Sequence, residues 1–445
     1  MALGSLLLRA AALAPVWPAL AALTIGGLSL RERRPTESTV VAISQLALWL
    51  SLASLLGAAG AYWQGDASSV DFLIGYFYRA GDYGFELRFL LDRLSLATAL
   101  LAELLLLATS RFSAHYLHRE PGFIRFFVLM LVFACGILLM LLAGSYELLF
   151  AGWELVGLTS VLLVGFFQER AGPVRASLRV LITYRLCDIG LLLAPILLHA
   201  SVHSSSFVAI RAAFADPASA QAIPASAVAL LLAVAAMGKS AQFPVGGWLP
   251  RAMEGPTASS AVFYGGLSVH AGVYLLLRSA PILDHAPLAK ALLILIGLTT
   301  AVMATLSGQV SADTKSGLAY ATSAQVGLMF VECGLGLYPL ATAHLIAHAV
   351  LRYYQFLRTP SVLQDALARR AALGTAPAAQ PGSGWEKLPL SMQTFLYRLA
   401  IERFEVEAAL DRFIARPVLH AARWLGAMEE RIVARLAGTR TDGSP

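Results

Sequence analysis

Residues 233–274 read AVAAMGKSAQFPVGGWLPRAMEGPTASSAVFYGGLSVHAGVY. An apolar helix runs into a lysine, Lys239, and then meets Pro244, Gly246 and Gly247. It resumes at Pro256 with a second apolar run that carries His270. Proline removes a helix donor and clashes with the preceding turn, so this segment is predicted to be one helix in two pieces. At membrane depth such a break survives only where protein or a water-filled cavity satisfies the freed backbone groups. An ionisable side chain at the same depth is costly, and its default reading is a place on a charge or proton pathway. Together these features demand a helical bundle around a polar interior.

The rest of the chain supplies the bundle. Apolar runs of about twenty residues, each long enough to span a bilayer, recur along most of its length. They lie near 5–28, 40–63, 93–114, 122–143, 146–168, 175–200, 222–240, 257–278, 287–308, 313–335 and 339–358. The composition is 58% hydrophobic and 13% charged, with a mean hydropathy of +0.69, which excludes an ordinary soluble domain. The fold class expected is therefore all-α: a polytopic membrane helix bundle of about eleven spans with a broken helix. The first run is too long for a signal-peptide core and lacks a small-residue cleavage site, so it reads as a membrane helix.

Between the second and third runs, residues 66–93 alternate aromatic and polar side chains around Gly81, Asp82, Tyr83 and Gly84. That pattern predicts a β-hairpin on the membrane surface. Cys135, Cys187 and Cys333 lie in apolar segments without metal-ligand spacing and read as inert buried thiols. No zinc, haem, flavin or nucleotide motif is present, so no cofactor and no metal is expected in this chain. The net charge of +6 resides in loops and the tail and gives no reason to expect nucleic acid.

Loop charges orient the bundle. Arg31, Arg33 and Arg34 follow the first run; Arg111, Arg119 and Arg125 surround the third-to-fourth connection; Arg170, Arg175 and Arg179 surround the fifth-to-sixth. Lys315 and Arg358 fall on the same side. The positive-inside tendency makes that side cytoplasmic, with the N-terminus outside and the residues after Arg358 inside a bacterial-type inner membrane. Residues 359–384, rich in Ala, Gly and Pro, read as a linker. Residues 385–445 turn amphipathic, with Phe395, Leu399, Phe404, Leu410, Phe413, Val418, Trp424, Met428 and Ile432 interleaved with Arg and Glu. A helix on the membrane surface or along partner subunits fits them, as does a soluble helical hairpin broken at Pro417.

Within the runs, a few residues carry chemistry. Glu154 is flanked by apolar residues on both sides, and Arg185 and Asp188 lie three apart on one helix face. His344, His348 and Arg352 are spaced by four and stack along one face. A proton relay needs groups whose proton affinity answers to local charge, which a desolvated lysine beside a carboxylate provides. Histidine titrates near working pH without help, whereas arginine stays protonated and can set a field but not carry a proton. Arg185 with Asp188 reads as a supporting ion pair, His270 equally as relay or as hydrogen-bonded core residue. Glu103 and Glu332 are expected to reach an interface or a partner.

At these residues the sequence resembles the antiporter-like subunits of respiratory complex I and of the Mrp cation/proton antiporters, and among them the largest complex I subunit. The segments that carry the likeness are GWELVGL around Glu154, RLCDIGLLL around Arg185, GKSAQFPVGGWLPRAMEGPT from Gly238 and DTKSGLAYATSAQVGLMF from Asp313. The resemblance implies two inverted five-helix repeats, each with one broken helix, about a hydrophilic axis in the membrane plane. On that basis residues 93–279 form the first repeat and 280–358 a shortened second one, with 1–92 contributing N-terminal spans and the hairpin. Glu154 resembles the family's fifth-helix glutamate, Lys239 its seventh-helix lysine, and His344 and His348 its eleventh-helix histidines. The chain departs from the pattern at Tyr264, where the family commonly has histidine, and at Arg352, where it usually has lysine. The second repeat also lacks a broken helix of its own.

The resemblance implies a proton-conducting, non-catalytic membrane subunit of a complex I-like assembly, using Glu154, Lys239, His270, His344, His348 and Arg352. Other membrane and soluble subunits would be its partners. Two alternatives stand beside it: the cation-conducting subunit of a DAB-type inorganic carbon uptake complex, and a structural relative that no longer conducts.

Overall fold

The computed structural model describes residues 2–30, 34–65, 68–80, 83–311, 313–359, 388–410, 412–413 and 416–436. The chain divides into two compact units, residues 1–381 and 382–445.

Helices occupy all eleven positions where apolar runs stand. The first is interrupted: α1 (Ala2–Ala10) and α2 (Val16–Ser29) are joined by one 3₁₀ turn, Ala11–Leu13, ahead of Pro15. There follow α3 (Glu37–Gln64), α4 (Arg93–Tyr116), α5 (Phe123–Leu142), α6 (Tyr146–Val164) and α7 (Ala171–Val202). Small helices α8 (Phe207–Ala215) and α9 (Pro217–Ala222) lead to α10 (Ala225–Lys239). Beyond the break come α11 (Trp248–Arg251), α12 (Thr257–Ser259), α13 (Ala271–Arg278), α14 (Ala280–Leu283), α15 (Pro287–Gln309), α16 (Thr314–Gly334) and α17 (Tyr338–Leu357).

Eight segments among the described residues are long and apolar enough to cross a membrane, against about eleven spans expected. The difference has a physical cause. α10 stops at Lys239 after 15 residues, and α16 and α17, at 21 and 20 residues, carry the polar and histidine side chains.

Residue chemistry sets the helix starts. Asp92 and Ser95 form a reciprocal capping box at the start of α4, while Thr36, Ser145 and Asp313 each accept a backbone N–H at a helix start. Asp92 also pairs with Arg278 at the end of α13. Burial pushes the Asp92 carboxyl up, but the Arg278 charge and hydrogen bond, with those of Ser95, outweigh it and hold the group below its ordinary value.

The hairpin expected before α4 is present. Strands β1 (Val70–Ala80) and β2 (Tyr83–Leu91) pair antiparallel from Val70 opposite Leu91 to Ala80 opposite Tyr83. Register shifts fall at Leu73/Gly75 and Tyr76/Tyr78. Its turn residues 81 and 82 lie outside the described residues. Arg88 holds both Asp71 and Glu86 at 2.6 Å.

The break after α10 is satisfied as membrane depth requires. Gln242 N–H reaches the Met237 carbonyl at 3.0 Å, Trp248 Nε1 donates to the Gly238 carbonyl at 3.0 Å, and Gln242 Nε2 donates to the Ser240 carbonyl at 2.8 Å. From α15, Thr300 Oγ1 accepts the Phe243 N–H at 2.9 Å. Ala241 takes a left-handed φ of 51°, a conformation L-residues adopt only under constraint. The second piece is not one α-helix: Ser260–Gly266 is π-helical and Ser268–His270 is a 3₁₀ turn. π-turns inside helices recur at functional sites.

In the second unit the helices are Leu390–Ile401, Val406–Leu410 and the amphipathic Arg416–Leu436. Pro417 sits in the first turn of the last helix, where a missing N–H costs nothing. Of the predicted linker only Thr359 lies within the described residues.

Candidate functional site

Four charged side chains from three helices form one cluster. α6 supplies Glu154, α7 supplies Arg185 and Asp188, and α10 ends on Lys239. The end of a helix favours a cation, because the last carbonyls present their negative ends there. Close approach makes the meeting possible: a Cβ on Gly190 would overlap the Leu231 carbonyl, so α7 and α10 touch through a residue without a side chain.

The expected Arg185–Asp188 pair is present, with Oδ2 at 3.7 Å, and Arg185 contacts Glu154 as well. Asp188, not Glu154, is the carboxylate that faces Lys239, with Nζ 4.0 Å from Oδ2. The charges thus alternate in the order Glu154, Arg185, Asp188, Lys239. Asp188 is fixed from its other side by Trp153, whose Nε1 donates to Oδ1 at 2.6 Å.

Lys239 is fully buried. Its Nζ lies over the Tyr184 ring at 4.2 Å and the Trp153 ring at 5.0 Å, and has no hydrogen-bond partner among the described residues. A Cβ on Gly157 would collide with Nζ, so Gly157 is the opening that seats the ammonium. One ion pair at 4.0 Å gives about 4 kcal/mol at an effective dielectric near 20, comparable to the several kcal/mol lost on desolvating each ion. The ammonium is balanced, not locked.

A second cluster gathers rings. His270, turned inward by the 3₁₀ segment before α13, places Nε2 2.9 Å from His348 Nδ1 on α17. Arg352 Nε donates to His348 Nε2 over a long 3.5 Å. Arginine can only donate, so His348 Nε2 accepts; its Nδ1 then carries hydrogen and donates to His270 Nε2. His344 shares the face of α17 but turns to α16, with Nδ1 2.9 Å from Glu332 and Nε2 3.1 Å from Gln325. Glu332 therefore meets a partner inside its own chain. Tyr264 is buried and donates to the Ser160 carbonyl at 3.4 Å.

Between the clusters lie hydroxyls and aromatic edges. Ser160 and Ser268 Oγ atoms are 3.4 Å apart, and the Trp248 ring makes T-shaped contacts with the Tyr184 and Tyr264 rings, centroids 5.1 and 5.6 Å apart. Ser240 Oγ donates to the Val269 carbonyl at 2.8 Å, tying the break to the turn that presents His270. Among the broken-helix residues, Pro244, Gly246 and Gly247 form the turn and Pro256 starts the second piece. Among the described residues no group of three or more His, Cys, Asp and Glu side chains is disposed to hold a metal.

Sequence reasoning did not find Trp153, Tyr184 or Gly157 around Lys239. The indole and the glycine lie within the GWELVGL segment, where their neighbourhood to Glu154 was the available signal.

Charges gathered on broken and unbroken membrane helices, in a bundle that also pairs two buried histidines, mark an antiporter-like membrane subunit. Residues 143–373 match the family described as "NADH:quinone oxidoreductase/Mrp antiporter, TM", and residues 77–127 match "NADH-Ubiquinone oxidoreductase (complex I), chain 5 N-terminus". The chain belongs to this family of complex I and Mrp antiporter-like membrane subunits. It is 37% identical over 278 residues to the probable inorganic carbon transporter subunit DabB1 of Halothiobacillus neapolitanus, covering 62% of this chain and 50% of that protein. It is 32% identical to the chloroplastic NAD(P)H-quinone oxidoreductase subunit 5 of Nephroselmis olivacea, covering 86% of this chain and 60% of the relative. The chain thus spans about half to three-fifths of these relatives. Among solved structures, the Mrp complex of Dietzia sp. DQ12-45-1b is similar over 87% of this chain and 40% of that one, with 27% identity and a TM-score of 0.64.

Proposed function

We propose that this chain translocates protons as a membrane subunit of a multi-subunit assembly, coupled to chemistry in partner subunits. The observation that carries this reading is the Lys239 ammonium: fully buried, 4.0 Å from one carboxylate and hydrogen-bonded to nothing described. Arg185 is the switch. It holds Glu154 and already shares Asp188 Oδ2 with Lys239, at 3.7 Å against 4.0 Å. When it leaves Glu154 and closes further on Asp188, the counter-charge on Lys239 weakens and the ammonium gives up a proton toward Ser160, Ser268 and the His270–His348 pair. There the proton enters at one ring nitrogen and leaves from another, and Arg352 biases the direction by its fixed charge.

A second reading is favoured by the 37% identity to the inorganic carbon transporter subunit. In it the same axis passes cations that drive a soluble zinc-bearing partner instead of a redox chain. Purification in mild detergent, with every co-purifying subunit and metal identified, separates the two. Iron–sulfur or quinone-site subunits support the first; one large zinc-containing soluble partner supports the second. Proton flux by the purified assembly in liposomes tests both. If Lys239→Ala and Glu154→Gln leave flux untouched, the chain is a structural relative and neither reading stands.

A further inference from the structure

Glu103 belongs to neither cluster. It is the eleventh residue of α4, about 15 Å from the start of that helix at 1.5 Å per residue, and so close to mid-span. It does not reach an interface, as the sequence suggests; it is fully buried inside the chain against α3. Ser51 of α3 donates to Oε2 at 3.1 Å, and Oε1 is buried with no partner. Farther along the same helix pair, Gln45 Nε2 donates to Ser110 Oγ at 2.9 Å, so α3 and α4 meet through a narrow polar seam.

The elements packed against α4 are α3, α5, β2, α12, the π-helical segment and α17. Their titratable groups are committed elsewhere. Glu37 of α3 holds His118, and Tyr62 at its far end donates to the Ser68 carbonyl. Arg125 of α5 donates to the Phe166 carbonyl; Cys135 is its other titratable residue. In β2, Arg88 holds Glu86 and Asp71. Tyr264 donates to Ser160. On α17, His344 is bonded to Glu332, His348 to His270, Arg352 to His348 and Tyr353 to Thr109. On α4 itself, Arg93, Arg111, His115 and Tyr116 lie at least five residues from Glu103. No cation pairs with Glu103 among the described residues.

We propose that Glu103 is a proton-binding site separate from the Lys239 axis, holding a proton in the resting protein. An isolated buried carboxylate is costly even after relaxation, and a single hydrogen bond to it returns only part of that cost. One serine hydroxyl cannot offset the charge; a proton removes it. The ligand is the proton and not a hard metal ion, because such ions take six or more oxygens and the side chain bonded to Glu103 is the Ser51 hydroxyl alone. Release of this proton would set a bare charge against α3, so protonation and the α3–α4 contact are coupled.

The test is infrared difference spectroscopy of the full chain in lipid nanodiscs, in light and heavy water. The proposal expects a protonated-carboxyl C=O band that shifts on deuteration, vanishes in Glu103→Gln, and moves to higher frequency in Ser51→Ala as its hydrogen bond is lost. If Glu103→Gln instead removes ionised-carboxylate intensity at neutral pH, or if the band is displaced by sodium but not by choline, the proposal fails. Should Glu103→Gln not fold, the Ser51→Ala shift still decides, and an unmoved band overturns the assignment. The inference stands on the α3–α4 geometry, so its outcome is independent of flux through Lys239.

Discussion

The α6–α7–α10 cluster and the α13–α17 cluster handle buried polarity in opposite ways. Around Lys239 the polarity is carried by formal charges, and four alternate in sign: Glu154, Arg185, Asp188 and Lys239. Around His348 the groups are rings in a hydrogen-bonded row, with Arg352 the one fixed cation. On the proposed reading, the place of a proton in the first would be set by which carboxylate Arg185 faces, and in the second by which ring nitrogen carries hydrogen. A field switch feeding a tautomer chain would then give direction, because the field could change without the chain.

The comparison breaks most sharply at Lys239. Lys239→Ala removes the only titrating cation of the first cluster, and proton flux in liposomes should fall on the order of a hundredfold, about 2.7 kcal/mol in barrier terms. If flux persists, the charged cluster is a structural lock and the Lys239 axis does not carry the protons.

Gly157→Ala tests the seat instead of the charge. The added methyl would clash with Nζ and displace the ammonium. We expect flux to drop about tenfold with a stability loss of roughly 1–3 kcal/mol, the usual range for overpacking. A stability loss alone, with flux intact, would show that the 4.0 Å spacing from Asp188 is not needed.

In the ring cluster, His270→Gln keeps a buried hydrogen-bonding side chain opposite His348 but removes a titratable ring. Flux should fall several-fold, less than for Lys239→Ala, and its pH profile should change shape. An unchanged profile would make His270 a core histidine.

These contrasts also explain how much was legible beforehand. The eleven helical positions could be read because twenty apolar residues in a row leave the backbone no other way to satisfy itself. Lys239 and Glu154 stood out as charges in such runs. The partners could not be read. That Arg185 would bridge Glu154 and Asp188, and share Asp188 with Lys239, depends on the rotation of α6 against α7, which apolar faces on all sides do not reveal. His270 and His348 are 78 residues apart and meet only because π and 3₁₀ windings turn the helix before α13. Glu103 was misplaced for the reverse reason: it finds no cation, and the serine it does find is an ordinary residue of α3.

The smallest expected effect is the most discriminating. Arg352 meets His348 at 3.5 Å, too long for a strong hydrogen bond, so its contribution is chiefly its charge. Arg352→Lys retains a positive charge on a shorter stem and should keep flux within about twofold, the change in barrier staying under ~0.5 kcal/mol. Arg352→Met, which deletes the charge but keeps much of the volume, should cost more and weaken the directional bias. If the lysine variant instead loses as much as Lys239→Ala, the guanidinium is needed for its geometry, holding His348 Nε2 as an acceptor. The ring cluster would then be a fixed scaffold, and the contrast between field switch and tautomer chain would collapse into one charged axis.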